Sequence, residues 1–302
     1  MKRKRINSII LALAVTMTLS GLPTFAQNAK TNQSANNKVK TDSRMIYHNG
    51  EVIDLRNPVV YVIWYGNFAT DTETQLILAD FLSTIGSTPY FQINSTYPDG
   101  GGHTPSGALT YGGGGLDWNY SHGVELTASD IQGIVADSIL GGQVPLDPSA
   151  IYIVFASPDV SSTATGFCTP NASPHHGYGV VNGSTFRYGF VGHALRCPVV
   201  AASQFEAQYD GSHLPTPNGN LGADAMVSTL AHVLDAIVTD PLGNAWFDRY
   251  GLENADKCQG TFGATYTSAN GARANMRLGQ RDFLIQQNWV NDRKGYCALS
   301  YP

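Results

Sequence analysis

Residues 222–258 (GADAMVSTLAHVLDAIVTDPLGNAWFDRYGLENADKC) constrain this chain more than any other stretch. Met226, Val227, Leu230, Ala231, Val233, Leu234, Ile237 and Val238 fall in one apolar arc at helical spacing, so a helix is expected here. Ser228, His232, Asp235 and Thr239 share the opposite side, with His232 near its centre. Thr239, Asp240 and Pro241 end the helix, because the residue before a proline avoids the α region. A histidine so placed has two readings. It lies on a solvated face, or it floors a cleft and is presented to a metal or substrate. The H-E-x-x-H pattern of zinc helices needs a second ligand one turn on and a general base at the next residue. Here those places hold Ala236 and Val233.

The leader bounds the compartment. Lys2, Arg3, Lys4 and Arg5 precede an apolar run over residues 9–22 and a small-residue site ending at Ala26. Residues 1–26 therefore read as a secretory signal peptide. Residues 27–44 are polar, rich in Asn and Lys and free of aromatics, as disordered segments are. Residues 45–302 are left for one large domain. No later stretch reads as a membrane span, so an exported protein free of the membrane is expected once the leader is cut. From residue 45 onward 10 Lys and Arg face 22 Asp and Glu. That negative field repels a phosphate backbone and argues against nucleic acid as a partner. Four cysteines, Cys168, Cys197, Cys258 and Cys297, suit two disulfides in an exported chain. None stands in C-x-x-C spacing.

Along the domain, residues 57–64 (NPVVYVIW) and 150–156 (AIYIVFA) are continuous apolar runs, hence buried strands. Two helices are expected, each behind a capping signal: residues 70–85 with Thr70 and Glu73, and residues 127–140 with Thr127 and Asp130. Residues 89–97 read as a strand. The glycine-rich residues 99–115 read as a surface connection, and His103 and His122 as exposed loop residues. Residues 178–181 and 186–191 suit a hairpin around Asn182-Gly183. Residues 261–266 and 283–290 read as short strands about an Asn270-Gly271 turn. The fold class expected from this order is α/β, a mixed sheet with packed helices.

Several stretches together resemble the phosphate-induced protein 1 family, whose plant members are the EXORDIUM proteins. They are VVYVIWYGN (59–67), GFC (166–168), YGFVGHALRCP (188–198), LAHVLDAIVTDPLGNAW (230–246), ENADKC (253–258) and QRDFLIQQNWVN (280–291), the last with Gln280 where a glycine is usual. The resemblance covers nearly all of the mature domain. It implies export and, in plants, association with the extracellular matrix. It supplies no defined enzymatic activity.

In this family the helix commonly reads H-E-L-A-E or H-E-L-E-E before T-D-P, similar to the active helix of zincin metallopeptidases. The resemblance thus implies a zincin-like single domain. By position His232 matches the histidine, Val233 replaces the acid that would serve as base, and Ala236 replaces the ligand one turn on. Asp235 stands where some relatives have Glu, and Asp240, Glu253 and Asp256 match acidic positions. The implied metal set is His232, Asp235, Asp256 and Glu253, with zinc as the implied cofactor. Family members often carry further cysteines at the places of Ala172 and Ala201. Their joint loss implies the pairs Cys168–Cys197 and Cys258–Cys297. His175 and His193 also match family histidines or polar positions and are expected to pack in loops. The leading reading is a secreted, EXORDIUM-like pseudoenzyme with a degraded metal helix that binds a matrix, cell-wall or peptide ligand. The alternatives are an active zinc-dependent hydrolase of peptidase type with a non-standard ligand set, and a carbohydrate-binding wall protein.

Overall fold

Alternation along two apolar strands sets the layers. In β1 (Val59–Tyr65), Val60, Val62 and Trp64 point to one face, while Ile63 and Tyr65 point to the other. In β3 (Ile151–Ala156) the odd-numbered residues share the first face and the even-numbered ones the second. Both faces are apolar because both are covered, which is why the runs read as continuous. Helices α1 (Thr72–Ile85) and α4 (Leu221–Thr239) cover the first face, and α2 (Ala128–Leu140) covers the second. The computed structural model describes residues 44–53, 57–164, 175–206 and 215–302, all within the unit Val39–Pro302.

The sheet has five strands in the order β2-β1-β3-β5-β4, with β2 at Thr110–Asp117, β4 at His175–Val181 and β5 at Ser184–Val191. All neighbours run parallel except the edge strand β4, which is antiparallel to β5. The β4–β5 hairpin turns at Asn182 and Gly183, with φ of 50° and 77°, the left-handed pair of a type I′ turn. Thr127 caps α2 in a complete capping box with Asp130.

Several expectations are corrected. Residues 91–96 form a 3-10 helix rather than a strand. Within the glycine-rich stretch, residues 99–109 are turn and loop as expected, but Thr110–Asp117 form edge strand β2, paired with β1. It bulges between Tyr111 and Gly114, and Gly113 takes φ of 89° there. Propensity missed it because a side-chain-free strand shows no alternation; only its neighbour specifies it. Helix α4 is also long and apolar enough to cross a membrane, although no such segment was expected; 89% of its most apolar window is buried inside the fold, as in a core helix.

The chain outside the main sheet forms short antiparallel pairs: Met45–Tyr47 with Trp246–Asp248, Tyr266–Thr267 with Arg273–Ala274, Met276–Leu278 with Arg281–Phe283, and Asn288–Val290 with Tyr296–Ala298. Residues 261–266 and 283–290, expected as strands, are thus strand only at Tyr266, Phe283 and Asn288–Val290. Cys258–Cys297 is bridged, as expected, and ties the turn after α4 to the last strand. Cys168 lies outside the described residues; Cys197 is disulfide-bonded and stands just before the short helix α3 (Pro198–Gln204).

Candidate functional site

Helix α4 starts at Asn220, whose side chain accepts from the Ala223 amide, and stops at Asp240, whose Oδ1 accepts from the Ala245 amide across the Pro241 turn. Between those ends its polar side is not solvated. Ser228, His232, Asp235 and Thr239 are all buried, His232 at 3% exposure and Asp235 at 0%. The solvated-face reading is overturned, and the partners that overturn it come from distant parts of the chain.

His232 Nδ1 lies 3.2 Å from Gln286 Oε1. The Gln286 Nε2 donates to the Ala255 carbonyl, so Oε1 is turned toward the imidazole and Nδ1 carries the proton. That leaves Nε2 facing Asp256 Oδ1 at 3.3 Å. A lone pair facing a carboxylate is unfavourable, so the pair holds a second proton. Burial opposes charge on His232. The Asp256 hydrogen bond and charge, the Gln286 acceptor and the charge of Glu253 outweigh it and hold the pKa above the ordinary histidine value.

A second imidazole stands beside the first, and sequence reasoning missed it. His176 on β4 pairs across the hairpin with Gly189 and so points to the same face, toward α4. Its Nε2 lies 2.9 and 3.0 Å from the two oxygens of Glu253. Burial lowers its pKa, but Glu253, then Asp240 and Asp256, raise it further, to a net value above the ordinary one. The Glu253 amide donates to Asp256 Oδ2 and links the two pairs. The available signal was the His175-His176 doublet opening an alternating stretch, because alternation must turn one of the two inward. His175 takes the other face, near Tyr188.

Asp235 is not in this pairing. Its oxygens accept from Tyr90 Oη at 2.8 Å and Asn94 Nδ2 at 2.7 Å. Asn254 and Asn288 in turn donate to Asn94 Oδ1. Burial pushes its pKa up to about 7, against the pull of those two donors. His193 is also elsewhere: its Nδ1 accepts from the Leu195 amide, and its Nε2 binds Asp71 at 2.8 Å, clipping the end of β5 to the start of α1. His103 is held by Asp99, and His122 by Asp137 on α2.

Zinc needs three converging protein ligands. Among the described residues no three His, Cys, Asp or Glu side chains are grouped to hold a metal. Each imidazole is paired with its own carboxylate, and Asp235 is spent on Tyr90 and Asn94, so the implied set His232, Asp235, Asp256 and Glu253 does not fit zinc as arranged. The position of the missing base is a packing position. Val233 is 1% exposed, and its Cγ1 would lie 2.2 Å from a Cβ placed on Gly189. The arrangement can hold protons between imidazole and carboxylate, and it locks β4, α4 and the turn at Ala255–Cys258 to one another.

Residues 45–293 match the phosphate-induced protein 1 conserved region. The chain is 30% identical to Protein EXORDIUM-like 5 of Arabidopsis thaliana over 273 residues, covering 80% of this chain and 74% of that protein. It is 29% identical to Protein EXORDIUM-like 3 of the same plant, covering 84% and 82%. It is 28% identical to Protein PHOSPHATE-INDUCED 1 of Nicotiana tabacum, covering 72% of each. No solved structure matches the chain significantly.

Proposed function

The chain belongs to the phosphate-induced protein 1 family, and from that premise we propose that it is an exported, non-hydrolytic binding protein of the extracellular matrix. Its scaffold is zincin-like, with a metal helix that has lost its chemistry. One observation carries this reading: the two helix positions that would make His232 part of a hydrolytic centre are apolar and buried, Val233 against Gly189 and Ala236 at 2% exposure. A metal-bound water here would lack the base that takes its proton. The zincin-like scaffold is supported by a five-stranded sheet with one antiparallel edge, followed by the buried helix that bears the histidine. Export is supported by the basic and apolar leader and is compatible with the Cys258–Cys297 bridge.

A second reading, a metallohydrolase with a non-standard ligand set, is motivated by two imidazole–carboxylate pairs, His176–Glu253 and His232–Asp256, linked through the Glu253 amide. Elemental mass spectrometry of the untagged secreted protein, beside His232→Ala, separates the two. The binding reading expects no stoichiometric metal in either protein. About one zinc per chain, lost in the variant, overturns it and reinstates the hydrolase.

A further inference from the structure

Of the four tryptophans, Trp64 and Trp289 are buried and Trp246 is half-buried against neighbouring rings. Trp64 stacks on Phe155 at 4.8 Å and meets Phe68 edge-on. Trp246 contacts Tyr47 and Tyr97. Trp289 is 4% exposed and lies under Lys257. Trp118 is 61% exposed and makes no ring contact among the described residues. Trp118 is thus the one indole whose ring is left mainly in water, where an external partner can cover it.

The turn that presents Trp118 is fixed. Asp117 accepts from both the amide and the hydroxyl of Ser121. The Gly123 amide donates to the Tyr120 carbonyl, and the Tyr65 hydroxyl donates to Gly123 and accepts from the His122 amide. Tyr120 takes φ of 52°, a left-handed conformation costly for a bulky residue. Its hydroxyl reaches Asp159 at 2.7 Å. Asp159 also accepts from Ser157, whose Oγ accepts from the Asn67 amide. Such bracing pre-pays the ordering that a floppy loop would pay on binding.

The bracing also places the turn. Strand β1 leads by α1 to β2 on one side, and the chain then returns by α2 to β3 on the other, so the winding reverses between β1 and β3. Ligands of open α/β sheets bind outside the carboxyl ends of the strands at such a reversal. Asn67 follows β1, Ser157 and Asp159 follow β3, and Tyr120 joins Asp159 to the turn after β2. Trp118 therefore stands at the rim of that position.

We propose that the carboxyl-end rim of β2, β1 and β3 binds a neutral glycan, with Trp118 as the stacking platform. This deepens the extracellular-binding reading above and rests on it. The apolar C–H face of a pyranose suits an exposed indole. The connections after β1, β2 and β3 carry Asn67, Asp117, Asn119, Ser121 and Asp159, short side chains dense in hydrogen-bonding atoms, as a hydroxyl-rich ligand requires. The acidic balance of the domain disfavours an anionic glycan.

The test is titration calorimetry of the full secreted chain with cellohexaose, laminarihexaose and chitohexaose, each to millimolar concentration. Trp118→Ala and Trp118→Tyr are the variants, checked by circular dichroism. The exposed position leaves folding unaffected. The expected result is saturable binding of at least one hexasaccharide, weakened about tenfold or more in Trp118→Ala and largely kept in Trp118→Tyr. Equal binding by Trp118→Ala overturns the proposal. So does absence of binding to all three sugars, or a Trp118-dependent self-association in light scattering with no glycan binding. Chromatography of the recovered sugar keeps the two readings apart. Intact sugar agrees with non-hydrolytic binding, while cleaved sugar sinks that reading and leaves the platform standing.

Discussion

Adding one carbon at Gly189 tests how the helix is seated. A Cβ there would lie 2.2 Å from Val233 Cγ1, 3.1 Å from Ile237 Cδ1 and 3.2 Å from Ile153 Cδ1. All four residues belong to interior positions where neighbours cannot withdraw. Overpacking of this kind costs about 1–3 kcal/mol. The loss of backbone freedom in the unfolded chain returns about 0.5–1 kcal/mol, so Gly189→Ala is expected to destabilise by about 1–2 kcal/mol. Val233→Ala removes two buried methyl groups at roughly 0.8 kcal/mol each plus a cavity term, for about 2–3 kcal/mol. In the double variant the new methyl enters the space that Val233 vacates, so its cost should fall short of the sum by about 1–2 kcal/mol. Urea unfolding followed by far-ultraviolet circular dichroism measures all three. Because His176 is the cross-strand partner of residue 189, imidazole resonances of His176 and His232 should shift in Gly189→Ala and return toward wild type in the double variant. Additive costs, with no recovery of those resonances, would refute the claim that α4 sits on the sheet through this contact.

Two further outcomes follow from the site and its tether. Asp256→Asn removes the carboxylate that holds the His232 pKa above its ordinary value, so burial should prevail and the NMR-monitored pKa should drop. A raised folded pKa contributes stability that is full below the unfolded value, about 6.5, and lost as pH climbs through the folded one. The stability gap between wild type and variant, on the order of 3 kcal/mol at its largest, should therefore open as pH falls below about 6.5 and narrow toward alkaline pH; a gap that does not vary with pH contradicts the pairing. Replacing both Cys258 and Cys297 by Ser opens a loop with a sequence separation of 39 residues. Chain entropy puts the loss at about 4 kcal/mol, and denaturant midpoints unchanged from the oxidised protein would show that the bridge contributes nothing.

Local pattern accounts for most of the scaffold. Strands β1 and β3 announce themselves as apolar runs because both sheet faces are covered, α2 through its Thr127 and Asp130 box, and the β4–β5 hairpin through Asn182-Gly183. Each of these signals is complete within a dozen residues, so reading them needs no knowledge of what lies across the fold. The 3-10 helix at Phe91–Thr96 and the glycine strand β2 were illegible for the complementary reason. Their conformations are imposed by contacts with Asp235 and with β1 that the local residues do not encode.

The amino-acid sequence by itself determined the family, the buried helix with its apolar arc, the absence of an acid at residues 233 and 236, and the acidic balance of the domain. Only the tertiary structure decided what the polar side of that helix does. Burying His232 and Asp235 is unfavourable unless partners are supplied, and the partners arrive from 54 residues later at Gln286 and from 141 and 145 residues earlier at Asn94 and Tyr90. His176 reaches Glu253 because the hairpin turns it, and not His175, toward α4. Helical periodicity records which residues share a face; whether that face meets water or a network of donors depends on where the rest of the chain packs.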